Sequence, residues 1–395
     1  YGAPFIWTGK GCQSTCLFCG GSALGHKALF SRTGYSYRPF EQVLHDMEVL
    51  GRWSGGSFMF DFDPVTDPGK REYYKTLFER LPKKRYHVAF YCWSLPDDEF
   101  IDLLAATFRS CVIGIDAQTY SEPLRARLAR TAWIKPFASD DALEHALTVC
   151  RSHPNCAVAM YGIVGLATET ADDVRRSEQW IGHLLDGYGD VFYELQTTPL
   201  SIEPGALMAY NPDKYGMTAL RKTFEDYYEF TRLQYFRDAG FHEAPYDPDL
   251  PHPYGVHQKQ DAPDRVWHDF HRIQKTIDDR ILEIHNRQAI ESLRIEADRV
   301  LLTLRNRTAY QDVWRLVPWA AQEAIGRGLP LVEVDASRAW INVPHRDAIA
   351  ADERLTWMGG QIDSIAAAVR SRRVELRLPD APQHLWGALE AACLV

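Results

Sequence analysis

Three cysteines crowd into eight residues near the start of this chain, in the run Gly11-Cys12-Gln13-Ser14-Thr15-Cys16-Leu17-Phe18-Cys19-Gly20-Gly21-Ser22. Their spacing is C-x3-C-x2-C. Three thiolates on one tight loop can hold three irons of a cubane iron–sulfur cluster, which leaves the fourth iron open to a small molecule. A catalytic metal site needs such an open position, for the same reason that catalytic zinc keeps one and structural zinc does not. The flanking glycines let the backbone wrap closely around a bulky group. A zinc site completed by a distant His is the other reading of three thiols, although zinc commonly takes paired C-x2-C units and no second pair follows. A chance group of buried thiols is the third. The remaining cysteines, Cys92, Cys111, Cys150, Cys156 and Cys393, are scattered singly, unlike a disulfide framework.

The elements that position this loop alternate. A short apolar run around Phe5–Trp7 leads into it. The spacing predicts helices over Phe40–Leu50, Glu72–Leu81, Asp97–Phe108 (with Asp97 as N-cap), Asp140–Cys150 and Thr170–Leu185. Strand-like runs lie between them at Ser57–Phe62, His87–Trp93, Cys111–Ile115, Ala157–Val164 and Val191–Gln196. Short buried strands alternating with amphipathic helices imply βαβ units and a parallel sheet. The loop therefore follows the first of six strands. From about Glu203 the pattern changes. An aromatic-rich, helix-like stretch covers Arg221–Phe236, a Pro-rich loop covers Pro245–Pro263, and a long polar helix or helix pair runs over Asp264–Asp298. Residues 299–395 read as a small α/β module with strands at Val300–Leu304, Leu331–Val334 and Val374–Leu378. The domain expectation is a core at 1–205, an extension at 206–298 and a small domain at 299–395.

Composition removes several function classes. The 395 residues are 46% hydrophobic and 25% charged, ordinary for a folded chain and far from disorder or collagen. No apolar stretch is long enough to span a membrane, and no basic leader opens the chain; a cytoplasmic setting is expected. Lys and Arg number 44 against 53 Asp and Glu, a net charge of −9, so the global basic field of a nucleic-acid binder is absent. The chain also begins without Met inside a strand-like run, so an upstream segment is expected.

With the aromatic Phe18 before its last cysteine, and with its place after the first strand of a βα series, the triplet resembles the motif of the radical S-adenosylmethionine (SAM) superfamily. The resemblance covers roughly residues 5–205. It implies a partial (β/α)6 barrel, a [4Fe–4S] cluster on Cys12, Cys16 and Cys19, and SAM chelated at the open iron. One-electron cleavage of SAM would give a 5′-deoxyadenosyl radical. Matched position by position, Phe18 would lie near the adenine. Asp61 or Asp63, in Phe60-Asp61-Phe62-Asp63-Pro64, stands where the family has a Gly-Gly-Glu that holds the SAM amino group. Here the glycines Gly55 and Gly56 precede the strand, a departure that puts the amino contact in question. Asp116 and Gln118, at the fourth strand's end, would face the SAM ribose and carboxylate, and Arg125 or Arg130 could pair that carboxylate. Tyr161-Gly162-Ile163-Val164-Gly165 looks like the fifth-strand run in which a glycine, here Gly165, approaches the adenine. Glu169 and Thr170 are expected to cap the helix that follows. Pro199–Gly205 resembles the sixth-strand end, where the backbone brackets the adenine.

A narrower resemblance comes from the Cys-Gly-Gly-Ser ending, the Asp-Phe-Asp-Pro strand, and Glu-Pro-Gly followed by Asn-Pro-Asp-Lys-Tyr-Gly. These look like members in which a cobalamin-binding domain precedes the barrel, including methylating enzymes of natural-product pathways. The cobalamin loop Asp-x-His-x-x-Gly is absent here and would lie upstream. This implies a small-molecule or peptide substrate, an electron donor such as flavodoxin or ferredoxin, and cobalamin as a further cofactor. An RNA-modifying relative usually adds a basic domain. Residues 291–395 carry 13 Arg, no Lys and 14 Asp plus Glu, so that tail is about neutral. A non-enzymatic iron–sulfur or zinc protein would want a fourth cysteine at cluster spacing. His242, His252, His257, His268 and His271 are read as loop contacts and a solvated helix face, not as ligands.

Overall fold

The computed structural model describes residues 4–52, 54, 56–63, 69–219, 222–228, 256–258, 263–296, 299–304 and 373–377. The chain divides into two units, Tyr1–Ile277 and Asp278–Val395.

Six parallel strands build the first unit. In chain order they are β1 (Phe5–Ile6), β4 (Ser57–Phe60), β5 (His87–Cys92), β6 (Ser110–Gln118), β7 (Cys156–Val164) and β8 (Phe192–Pro199), and they lie side by side in that same order. Between them run α2 (Phe40–Gly51), α3 (Lys70–Glu79), α4 (Asp98–Thr107), α5 (Glu122–Arg130), α6 (Asp140–Ser152) and α7 (Ala171–Tyr188). This is the expected partial (β/α)6 barrel, open because β1 and β8 are the two edges of the sheet. Two short strands that the sequence pattern does not predict, β2 (Gly9–Gly11) and β3 (Tyr35–Tyr37), pair antiparallel and flank the cysteine loop. Between them lies α1 (Ala23–Phe30).

Burial explains why the strands alternate. In β5, Val88, Phe90 and Cys92 are buried while His87, Ala89 and Tyr91 are partly open. The buried set packs under the helices in an aromatic cluster of Phe60, Tyr74, Phe78, Phe90, Phe100 and Phe108, with ring centroids 4.9–6.4 Å apart. The other face is more polar: Tyr91 stacks on Tyr161, whose hydroxyl donates to Glu194 at 3.2 Å. Helix starts follow local chemistry. Asp97 accepts from Phe100 N at 2.9 Å as its helix N-cap, and Thr170 and Asp173 form a reciprocal capping box. Glu169 is not part of that cap; its carboxylate turns inward to accept from Gly165 N at 2.5 Å.

Beyond β8, residues Met217–Ala219 pair antiparallel with Val256–Gln258, so the Pro-rich stretch contains a strand where an irregular loop is expected. The helix Pro263–Ala289 ends earlier than the sequence suggests, because Ile290–Glu296 is a strand. That strand pairs antiparallel with Arg299–Leu304, which pairs in turn with Arg373–Arg377. Alternation in Leu293, Ile295, Val300 and Leu302 is masked there by a high proportion of charged residues, which read as helix surface. The strand expected at Leu331–Val334, most of Arg221–Phe236, and His242 and His252 lie outside the described residues. No helix among the described residues is long and apolar enough to cross a membrane.

Candidate active site at the carboxyl ends of the strands

The cysteine loop leaves β2 and lies at the carboxyl ends of the parallel strands, where α/β proteins bind ligands. Two segments grip it. On one side is the turn after α5: Leu17 N donates to Trp133 O at 3.1 Å, and the Thr15 hydroxyl donates to Ala132 O at 2.8 Å. The Lys135 backbone N–H also bonds the Cys16 thiol. On the other side is the segment after β8. Glu203 N donates to Phe18 O at 3.0 Å, Met208 N donates to Leu17 O at 3.0 Å, and Gly20 N donates to the Glu203 carboxylate at 2.8 Å. The approach is so close that a Cβ on Gly20 would stand 2.3 Å from Pro204 O. The sixth-strand end thus braces the cysteine loop through backbone contacts.

Cys16 is buried, while Cys12 and Cys19 are partly open. Burial pushes the Cys16 thiol up to about 11, opposed by the positive charge of Lys135, and pushes Cys19 up to about 12, with Glu203 adding to the effect. The three thiols also repel one another's charge. Such a site holds thiolates only when a cation compensates them. Among the described residues, no three His, Cys, Asp or Glu side chains are gathered to hold a single metal ion. Two buried atoms nearby, Ser14 Oγ and Gln118 Oε1, have no hydrogen-bond partner, as befits a site completed by a group from outside. The donor set fits a three-thiolate cluster.

The strand ends around the loop carry the other candidates. Asp61 follows β4; burial holds its carboxyl above the usual range, opposed by the Trp93 indole N–H at 3.4 Å and by the charge of Lys135. Asp63 is fully buried and accepts from the backbone N–H groups of Trp93 and Ser94 at 2.7 and 3.2 Å, tying the β4 end to the β5 end. Asp116 and Gln118 do meet at the end of β6: Gln118 Nε2 donates to Asp116 Oδ1 at 2.6 Å. A register shift between them puts Gln118 at φ +65°, a left-handed conformation uncommon for a residue with a Cβ. Phe18 is partly open beside Cys19. Gly165, at φ +89°, has the side chain of Val266 where its own Cβ would stand, at 2.5 Å; the close approach there is from the helix Pro263–Ala289.

Arg125 is not available for a carboxylate ligand. Only 2% of it is exposed. Its guanidinium donates to Ala138 O, Thr119 O and Asp140, and lies over the Trp180 ring. Arg130 is exposed. Sequence reasoning missed Lys135, which is 9% exposed and donates to Asp116 at 2.5 Å. Burial alone would pull its ammonium down, but Asp116, with Cys16 and Asp63 behind it, holds it above the ordinary lysine value. The available signal was one lysine set in the apolar run Trp133-Ile134-Lys135-Pro136-Phe137.

No protein-family model and no curated protein sequence matches the chain. Solved structures similar to it include the radical SAM methyltransferase TsrM from Kitasatospora setae, with cobalamin and a [4Fe–4S] cluster bound. Identity is 19% over 55% of this chain and 42% of that one, with a TM-score of 0.43. The chain therefore spans less than half of TsrM's length. The cobalamin-dependent SAM radical enzyme OxsB matches at 14% identity over 49% of this chain and 27% of its own, with a TM-score of 0.36. Coproporphyrinogen III oxidase from Escherichia coli, described as a radical SAM enzyme, matches at 11% identity over 93% of this chain and 89% of its own, with a TM-score of 0.35.

Proposed function

We propose that the chain is a radical SAM enzyme: Cys12, Cys16 and Cys19 hold a [4Fe–4S] cluster, and SAM binds beside it at the strand ends. The observation that supports this most is the three-thiol loop itself, gripped from two sides at the carboxyl end of a six-stranded parallel sheet. Held by Cys12, Cys16 and Cys19, such a cluster would supply the single electron for reductive cleavage of SAM. This chain's own residues do the positioning. Asp61 has a partly open carboxylate for the SAM ammonium, whereas Asp63 is occupied with backbone N–H groups. Asp116 and Gln118 offer acceptors to ribose hydroxyls. Phe18, partly open beside Cys19, would lie near the adenine, and Gly165 shapes the neighbouring strand end.

The substrate we propose is a small molecule or peptide of natural-product type, modified by cobalamin-dependent methyl transfer in the cytoplasm, with the electron delivered by a flavodoxin or ferredoxin. The sequence likeness to cobalamin-containing members supports the methyl-transfer part. An anaerobic assay tests both levels: reconstituted protein, reductant and SAM, with and without cobalamin, read by mass spectrometry. Deoxyadenosine formed by wild type and abolished in C16A is the expected result for SAM cleavage. S-adenosylhomocysteine that appears only with cobalamin is the expected result for methyl transfer. Full cleavage activity in C16A overturns the assignment.

A further inference from the structure

Lys135 makes none of the proposed SAM contacts, and its surroundings are unusual. It sits in the turn after α5, the turn that also bonds the cysteine loop through Ala132 O, Trp133 O and its own backbone N–H. Its ammonium is buried against Asp116, and its charge acts on Cys16, Asp61 and Asp63. Arg125, the other buried cation nearby, spends its donors on Ala138, Thr119 and Asp140.

A structural clamp at this turn does not need a charge, because the backbone bonds already make it. Burying an ammonium is costly unless charges around it compensate. Here those charges are three carboxylates and, once the thiols are deprotonated, the thiolates of the cysteine loop. An electron added at that loop adds one more negative charge to a region that already holds several. The potential of an iron–sulfur centre follows the net charge around it and the hydrogen bonds to its sulfurs. Lys135 supplies both at Cys16, from one residue.

Resting on the radical SAM reading, we infer that Lys135 is a positioning residue for the reducing step: its ammonium, held on Asp116 in the turn that bonds the cysteine loop, stabilises the reduced form of the bound cluster. The step moves one electron from an external low-potential reductant onto the cluster, and the proton stays on Lys135. Asp116 opposes it, since its carboxylate offsets part of the lysine's charge.

The test is an EPR-monitored redox titration of the reconstituted full chain as wild type, K135M, K135R and D116N, with iron and sulfide counted first. K135M should make cluster reduction about tenfold less favourable, a midpoint about 59 mV more negative for one electron. K135R should restore most of the difference, and D116N should shift the midpoint the other way. Opposite signs are the signature of charge, since loss of a clamp would disturb both variants alike. Equal midpoints in all four proteins, or shifts of the same sign in K135M and D116N, overturn the inference. If K135M takes up no cluster, D116N decides: a midpoint equal to wild type overturns it. A wild type that assembles no [4Fe–4S] cluster overturns the radical SAM reading itself, an outcome separate from the others.

Discussion

Two groups of three cysteines stand at opposite ends of the same strands, and they are built differently. Cys12, Cys16 and Cys19 come from one loop at the carboxyl ends, where the charges of Asp116, Glu203 and Lys135 act on the thiols and Lys135 in turn faces Asp61 and Asp63. Cys111 and Cys156 are register partners at the amino ends of β6 and β7, with their sulfurs 2.9 Å apart, and Cys150 joins them from the end of α6. In this second group burial raises Cys150 to about 12. The hydrogen bond with Cys156 and burial together raise Cys111, and the same bond lowers Cys156. The pair satisfies itself. The first group instead faces ionisable side chains, with unpartnered buried oxygens nearby. Thiols that share a proton are packing; thiols set among charged side chains are poised to take a cation.

The comparison breaks most sharply at Cys16. C16A should lose the cluster and all SAM cleavage while its far-UV circular dichroism stays that of wild type. Iron content above half that of wild type in C16A would count against the assignment.

Next in size is a pH effect near the same end of the sheet. Burial raises the Glu169 carboxyl to about 8 from an ordinary 4.5. Between those values the folded state binds more protons than the unfolded one, so stability falls as pH rises through that window. The loss from pH 5 to pH 8 should be on the order of 3 kcal/mol in wild type and clearly smaller in E169Q. Thermal unfolding of both proteins at the two pH values checks it; parallel profiles would mean that Glu169 is charged and compensated in the fold.

Gly20→Ala sharpens the role of the grip on the loop. The new methyl group meets the Pro204 carbonyl, so the loop or the segment after β8 must shift, at about 1–3 kcal/mol. Iron uptake should fall several-fold with little change in the aromatic core, whose near-ultraviolet spectrum serves as the control. The smallest effect belongs to the other group. C111A/C156A should lower stability by about 1 kcal/mol and leave iron content and deoxyadenosine yield at wild-type levels. Iron loss there would erase the distinction between the two groups.

Legibility followed locality. Strands such as His87–Cys92, helices such as Phe40–Gly51 and the Asp97 cap were readable because alternation, helical spacing and capping act within a few residues. The strand Ile290–Glu296 was not, because its partners decide whether a mixed apolar and charged run pairs or coils. Arg125 looked like a ligand from its place after the fourth strand. Its engagement with Ala138, Thr119, Asp140 and Trp180 depends on how the chain folds back after α5.

By itself the sequence determined the three thiols, their separation along one loop and the βα rhythm that puts that loop after the first strand, because each is set by neighbours in the chain. Only the tertiary structure decided what surrounds the loop. Lys135 stands 119 residues after Cys16 in the chain and Glu203 lies later still. Both reach it because parallel strands carry every βα turn to the same end of the sheet, where charges distant in sequence act on one another across a few ångströms.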